Sequence, residues 1–351
     1  MADDPPIHTR RPRYRGKNPR GFHEKYKELD PVRYSADVEK VLAAGKTPAG
    51  SHRPIMVDEV LEALRPQPGE TVVDLTLGGG GHTRAILERI LPGGRLIGLD
   101  VDPIELPRTE ARLRDDGFGP PAFSAHHSNF AGLSRVLAAE GVPGADVILA
   151  DLGVSSMQLD NPDRGFGYKE SGPLDMRMNP SKGLPASEMI ARTMEDKLVR
   201  LLHQNADEPH AELIAGALKA QDLATTGELR RVVSEALVSL RLGAEEEKAS
   251  IRRTFQALRI AVNDEFATLD WLLRSLPDGL TPGGRVAILT FHSGEDRRVK
   301  KAFQSGHHDG LYSAVSTDVT RASREETRAN PRAASAKLRW AVRGRRGSVE
   351  R

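Results

Sequence analysis

The stretch "VVDLTLGGGGHT", Val72 to Thr83, runs from an apolar segment into an acid and then into four consecutive glycines. The preceding "PGE" reads as a turn, "TVVDLTL" as a buried strand, and "HTRAILERIL" as a helix that starts directly after the glycines. Glycines between a strand and a helix let a ligand lie against bare backbone, and the helix N-terminus favours negative charge. A dinucleotide fingerprint needs a third glycine. Counted from Gly78 or Gly79, that position falls on Thr83 or Arg84, so the pyrophosphate-binding form fails at its packing position. A phosphate loop fails as well, because no GK[ST] follows.

Further along the chain the pattern recurs. "GGRLIGLDVD" and "ADVILADLG" are apolar strands ending in acid, and "TPGGRVAILTFHS" is a turn followed by another apolar strand. Strands alternating with helices in this way predict an α/β fold with a parallel sheet covered on both faces. Ligands of such sheets bind beyond the carboxyl ends of the strands, which places Asp74, Asp100, Asp151 and His292 around one crevice. A carboxylate at the end of the second strand, Asp100, is placed to accept both hydroxyls of a ribose. A glycine turn without phosphate-binding features, beside a ribose-binding acid, suits S-adenosylmethionine, which carries an adenosine and no phosphate. At the end of its own buried strand, Asp151 suits an acceptor aimed at an exocyclic amine. Such an amine is conjugated with its ring and weakly nucleophilic, so orienting its lone pair is the main task, and no metal is required.

The 351 residues are 38% hydrophobic with a formal net charge of +2, enough apolar content for a packed core. Zero cysteines exclude disulfides and cysteine-ligated metal, and with no secretory-type apolar stretch at the N-terminus the expected location is the cytoplasm. Basic charge is segregated: six Lys or Arg and no acid from His8 to Arg20, and seven with the single Glu350 from Pro331 to Arg351. Such ends suit either solubilising tails or contact with nucleic-acid phosphates. The expected organisation is a basic, disordered extension over 1–47, a discontinuous catalytic domain over 48–154 and 251–342, a helical insertion over 155–250, and a basic tail over 343–351. "IRRTFQALRIAVNDEFATLDWLLRSL" is expected as one long amphipathic helix covering the sheet.

The chain also resembles the bacterial small-subunit (16S) ribosomal RNA cytidine N4-methyltransferases, the RsmH or MraW family. The resemblance runs in order from about Ser51 to Val342 through "HRPIMVDEVLEAL", "VVDLTLGGGGHT", "GLDVDP", "HSNF", "DVILADLGVSSMQLDNPDRGFGYKESGPLDMRMNP", "RTFQALRIAVNDE", "TPGGRVAILTFHSGEDRRVK" and "NPRAASAKLR". It implies a class I (Rossmann-like) S-adenosylmethionine-dependent methyltransferase sheet with a mainly helical inserted domain for substrate recognition. It also implies that Gly80, Gly81, His82, Asp100, Phe130, Asp151 and Gln158 contact S-adenosyl-L-methionine, with Phe130 stacking on adenine. Asp151 then has two alternative roles, bonding the adenine amine or approaching the reacting centre. The implied substrate is a cytidine of the decoding region of 16S rRNA, and the implied partner is the small ribosomal subunit, with no membrane.

Three features depart from expected patterns. DNA-type amine methyltransferases follow their acid with Pro-Pro-aromatic, whereas "DLGVSS" does not; Phe166, Tyr168 and Phe291 are candidates for the ring that holds the base, and equally candidates for the core. In "FHSGEDR" Gly294 replaces the leucine of the common family form, which is expected to loosen that loop. "HQNADEPHAELI" lacks the arginine of the family's "YGEER". Arg164, Arg177 and Lys182 are the cations nearest the chemistry, and His292, Ser293, Glu295 and Asp296 line the substrate side or form structural pairs. A non-catalytic RNA-binding assembly factor is the alternative of another class, and a nicotinamide enzyme is disfavoured by the missing glycine.

Overall fold

The computed structural model describes residues 54–345. The expected 1–47 extension and most of the basic tail lie outside the described residues. Seven strands form one sheet: β1 (Thr71–Asp74), β2 (Arg95–Asp100), β3 (Phe123–His127), β4 (Ala145–Asp151), β5 (Leu280–Thr290), β6 (Tyr312–Val315) and β7 (Lys337–Arg343). Their order is β3-β2-β1-β4-β5-β7-β6. Strands β1 to β5 are mutually parallel, and β7 alone is reversed, antiparallel to both β5 and β6. This is the class I methyltransferase arrangement. The expected parallel sheet is present over β1 to β5, and the reversed strand is added beside it. "KLRWAVR" satisfies the free edge of β5 over Arg285 to Thr290.

Alternate residues of each strand face opposite layers. Val72, Leu96, Val147 and Leu149 pack under α1 (Val57–Leu64), α2 (Gly81–Ile90) and α3 (Glu105–Asp115). Val73, Ile97, Ile148 and Ala150 pack under α4 (Leu133–Ala139), α11 (Glu265–Gly279) and α12 (Ser293–His308). Burial on both faces explains why these strands read as unbroken apolar runs.

Between β4 and β5 the chain forms a separate helical core. Helices α5 (Ser156–Asp160), α6 (Ala186–Arg192), α7 (Glu195–Ala206), α8 (Ala211–Lys219), α9 (Thr226–Leu237) and α10 (Ala244–Val262) build the insertion. Ile251, Phe255 and Leu258 of α10 pack with Leu198, Ile214 and Leu229 inside this core. The single long helix expected to cover the sheet is therefore two, and the first of them packs in this helical core. The break has a local cause. Asn263 turns its side chain to the loop before α6, accepting from Met178 N (2.7 Å) and donating to Met176 O (2.8 Å), and Asp264 adopts a left-handed φ of 51°. Of these two helices, α11 is the one that covers the sheet.

The glycine run sits where β1 meets α2. Gly80 has φ +73°, and a Cβ there would lie 2.8 Å from Thr109 Cγ2. Both strain and overlap forbid a side chain, because α3 packs directly on the loop. Gly79 has open space instead, with nothing within 4 Å. Gly80→Ala is therefore expected to cost about 1–3 kcal/mol of stability, and Gly79→Ala very little. Thermal unfolding of the two variants reads the difference, and equal melting temperatures would contradict this packing.

Candidate active site

The site grows from the ends of the parallel strands. Asp74, at the end of β1, is buried and serves the loop itself. Its Oδ2 accepts from Thr83 Oγ1 (2.6 Å) and its Oδ1 from Thr76 N (3.1 Å). Thr76 Oγ1 in turn accepts from Asp151 N (2.6 Å), so the ends of β1 and β4 are fixed to one another.

Asp100 ends β2. Its Oδ2 accepts from Gly78 N (2.7 Å) and its Oδ1 from Asp102 N (2.8 Å). A carboxylate has about four acceptor positions, so each oxygen keeps one for a ligand, in the spacing that a pair of vicinal hydroxyls requires. Burial raises this carboxyl to about 6, with Asp102 and Asp74 adding to the rise and the two backbone N–H groups opposing it. The bare backbone at Gly78 and Gly79 opens beside it. Phe130 stands half-buried just past β3, in the strand position next to Asp100. Together these residues fit an adenosine: a flat apolar ring beside β3, a ribose acceptor at β2, and bare backbone at β1.

Asp151 ends β4. Its Oδ1 is buried and has no hydrogen-bond partner, and burial pushes the carboxyl up to about 6 against the pull of His82. His82 Nδ1 lies 3.6 Å from Asp151 Oδ2. Its Nε2 is 3.0 Å from Ile55 O, and a carbonyl only accepts, so Nε2 carries a proton. The proton on Nε2 leaves Nδ1 bare in the neutral ring, facing Asp151 Oδ2, while Gly80 and Gly81 pack against Thr109 and Pro54.

The expected residues of the following loop divide into two groups. Asp102, fully buried, accepts from Ile104 N (2.9 Å), Gln158 Nε2 (2.7 Å) and Arg164 Nη1 (2.7 Å). Gln158 Oε1 accepts from Ser155 N (2.9 Å) to close a capping box on α5. The Gln158 amide is therefore engaged by protein, and it borders the site through Asp102. Arg164, expected on the substrate side, is instead a buried ion partner whose Nη2 donates to Arg177 O and Met178 O. Arg177 pairs with Asp175 in a two-pronged contact. Phe166 is buried in the insertion core and Tyr168 packs edge-on against Phe255, centroids 5.6 Å apart. In the structure each of these four side chains is engaged by a neighbouring protein group. Lys182 is exposed.

Past β5, Phe291 is half-buried near Gly153 of the β4 loop. His292 caps α12, its Nδ1 accepting from Glu295 N (3.4 Å). Ser293 is exposed. Asp296 is structural, bonded to Arg339 of β7 (2.6 Å). Gly294 does not loosen the loop. The Phe266 ring occupies the space a side chain would take, with Cζ 2.6 Å from an added Cβ, and Arg298 lies 3.7 Å from the centre of that ring. Glu265, His292 and Glu295 bring three donor atoms within 4.8 Å, but both Glu265 oxygens are held by Arg259 at 2.8 and 2.9 Å. Sequence reasoning missed Asp102. Its signal was its place in "GLDVDP", two residues past the strand-ending acid.

Asp100→Asn is expected to weaken binding of S-adenosylhomocysteine roughly 10-fold or more, about 1.5–3 kcal/mol for a hydrogen bond to a charged acceptor. For the wild-type chain the affinity should fall as pH drops through about 6, where the carboxylate takes up a proton, and the variant should lose that dependence. Calorimetric titration measures both. An unchanged Kd would contradict the ribose assignment.

The MraW methylase family matches residues 49–344. The chain is similar to "Ribosomal RNA small subunit methyltransferase H 1" of Lachnoclostridium phytofermentans, 48% identical and covering 96% of this chain and 94% of that protein. It is similar to "Ribosomal RNA small subunit methyltransferase H 2" of Alkaliphilus metalliredigens, 48% identical over 95% of this chain and 97% of that protein. It is also similar to "Ribosomal RNA small subunit methyltransferase H" of Sorangium cellulosum, 42% identical over 83% of this chain and 90% of that protein. With the class I sheet, the strand-end acids and a match over most of its length, the chain belongs to the MraW methylase family.

Proposed function

We propose that this chain transfers the methyl group of S-adenosyl-L-methionine to the exocyclic N4 amine of a cytidine in the decoding region of 16S ribosomal RNA. The observation that carries the reading is the buried, unpartnered Oδ1 of Asp151. Neighbouring strands lie about 4.8 Å apart, and Asp151 stands two strands from Asp100, beyond β1. That offset of about 10 Å puts Asp151 on the far side of the ribose from Phe130 and β3. Of its two possible roles, the reacting centre fits this position better than the adenine amine.

The donor's sulfonium supplies an electrophilic methyl group. Asp151, ionised, accepts one amine N–H and turns the nitrogen lone pair out of conjugation with the ring. As the N–C bond forms and the S–C bond breaks, the amine gains positive charge, and its proton passes to the same carboxylate. Its Oδ1 is already out of water, although the side chain as a whole is 29% exposed, so that oxygen needs little reorganisation when charge develops. The target base must leave its stack to reach this depth, at roughly a few kcal/mol. The small ribosomal subunit is the partner that this substrate implies.

Incubation with undermodified small subunits and the donor, followed by mass spectrometry of the rRNA nucleosides, tests the proposal. A new N4-methylcytidine supports it. Binding without transfer, or methylation at another position, overturns it.

Because the Asp151 carboxyl titrates at about 6, turnover should rise with pH through that value. The folded state also binds more protons than the unfolded chain between about pH 4 and 6, so this carboxyl's contribution to stability falls as pH rises across that window. Asp151→Asn should reduce turnover roughly 100-fold or more while raising the melting temperature of the free protein at pH 7. A fully active variant would remove Asp151 from the mechanism.

A further inference from the structure

Two cations expected near the chemistry are already engaged, Arg164 by Asp102 and Arg177 by Asp175. A different set stands at the same end of the sheet, on the connector between β6 and β7. Strand register places it. Asp151 pairs with Leu289, Leu289 with Leu338, and Leu338 with Thr320, so one row of the sheet runs from the strand-end acid to the connector. At about 4.8 Å per step, Thr320 lies roughly 14 Å from Asp151 along that row. Strand β6 runs in the same direction as β5, because both are antiparallel to β7. The residues after Thr320 therefore continue beyond the strand ends that form the crevice.

The connector is held there at three points. Thr320 and Leu338 exchange backbone hydrogen bonds of 3.1 and 2.9 Å. In α13 (Arg324–Ala329), Glu326 Oε1 accepts from Met56 N (2.8 Å), next to Ile55, whose carbonyl accepts from His82. Arg332 pairs through both of its terminal nitrogens with Asp160 at the end of α5. The connector thus bridges the flank of the glycine loop and the helix that follows β4.

From Arg321 to Arg332 it carries four arginines against two glutamates. With Arg332 and Glu326 engaged, Arg321, Arg324 and Arg328 remain. All three are exposed, and none of their guanidinium groups has a hydrogen-bond or ion-pair partner among the described residues. Their positions do not serve the fold. Arg324 opens α13, where the helix dipole disfavours a cation, and Arg328 stands one turn on, where two like charges repel. A tethered cationic rim without protein counter-charge fits a polyanion.

We propose that Arg321, Arg324 and Arg328 hold RNA phosphates that flank the target cytidine, so that the connector positions the strand while the crevice chooses the base. This rests on the rRNA-methylation reading and names the surface that grips the substrate within it. One helical turn sets Arg324 and Arg328 about 6 Å apart, close to the step between successive phosphates of a nucleic-acid strand. Arg321, three residues earlier and beside the Asp151 row, extends the same line toward the crevice.

The test measures binding of undermodified small subunits over a range of salt, with S-adenosylhomocysteine in the donor site so that affinity is read without turnover. The variants are Arg321→Gln, Arg324→Gln and Arg328→Gln, singly and together. Arg89→Gln is the control, removing an exposed cation from the last turn of α2, at the opposite end of the sheet. Each phosphate contact on a single strand contributes about −0.7 to the slope of log K against log salt. The triple variant should therefore flatten the slope by about 2, with each single variant giving about a third of that change. Arg324→Lys keeps the charge and should keep the wild-type slope. Melting temperature should not fall in any of them, and S-adenosylhomocysteine affinity should stay at the wild-type value. A slope left unaltered by the triple variant, or flattened as much by Arg89→Gln as by a single connector variant, would overturn the proposal. Wild-type chain that binds small subunits with this slope but never methylates them would instead overturn the proposed function and leave the phosphate contacts standing.

Discussion

Three carboxylates, Asp74, Asp100 and Asp151, end three neighbouring parallel strands and are crowded into one poorly solvated crevice. This crowding is the constraint on which the rest depends. Burial raises all three, and Asp74 adds to the rise at both of the others. The fold answers each acid differently. Asp74 is bound by Thr76 and Thr83 and shapes the glycine loop. Asp100 is half-answered by two backbone N–H groups. Asp151 keeps an oxygen unanswered. A buried acceptor left without a donor costs roughly 1–3 kcal/mol, and such a cost persists at positions where a ligand supplies the missing donor.

The insertion is tied to this crevice by a fourth acid. Asp102 lies two residues beyond Asp100, donates its backbone N–H to the Asp100 carboxylate, and accepts from Gln158 and Arg164. Arg164 then holds the carbonyls of residues 177 and 178, and Asn263 fixes the same segment from the end of α10. The loop that carries Arg177 and Met178 is thus pinned from both directions, and it is joined to the strand-end acids through one buried ion pair. Truncating one partner of such a pair leaves an uncompensated buried charge, so the coupling is structural before it is functional.

Much of this was legible in the sequence. The apolar runs ending in acid located the crevice, because strands buried on both faces leave polar residues only at their tips. The failed dinucleotide spacing separated one adenosine ligand from another. Other features were hidden by their context. "KLRWAVR" is a strand only because β5 offers it an edge. Helix α10 separates from α11 because Asn263 bonds a loop 85 residues away in sequence. Arg164 and Phe166 read as substrate groups until Asp102 and the insertion core claimed them. Gly294 read as slack because Phe266, which fills its space, is invisible at short range.

The most direct measurement is a structure of the chain with S-adenosylhomocysteine and a cytidine-bearing RNA fragment. The account predicts the ribose hydroxyls on the Asp100 carboxylate and the N4 amine within hydrogen-bond distance of Asp151 Oδ1. Asp151 bonded to the adenine amine, with the cytosine elsewhere, would contradict it.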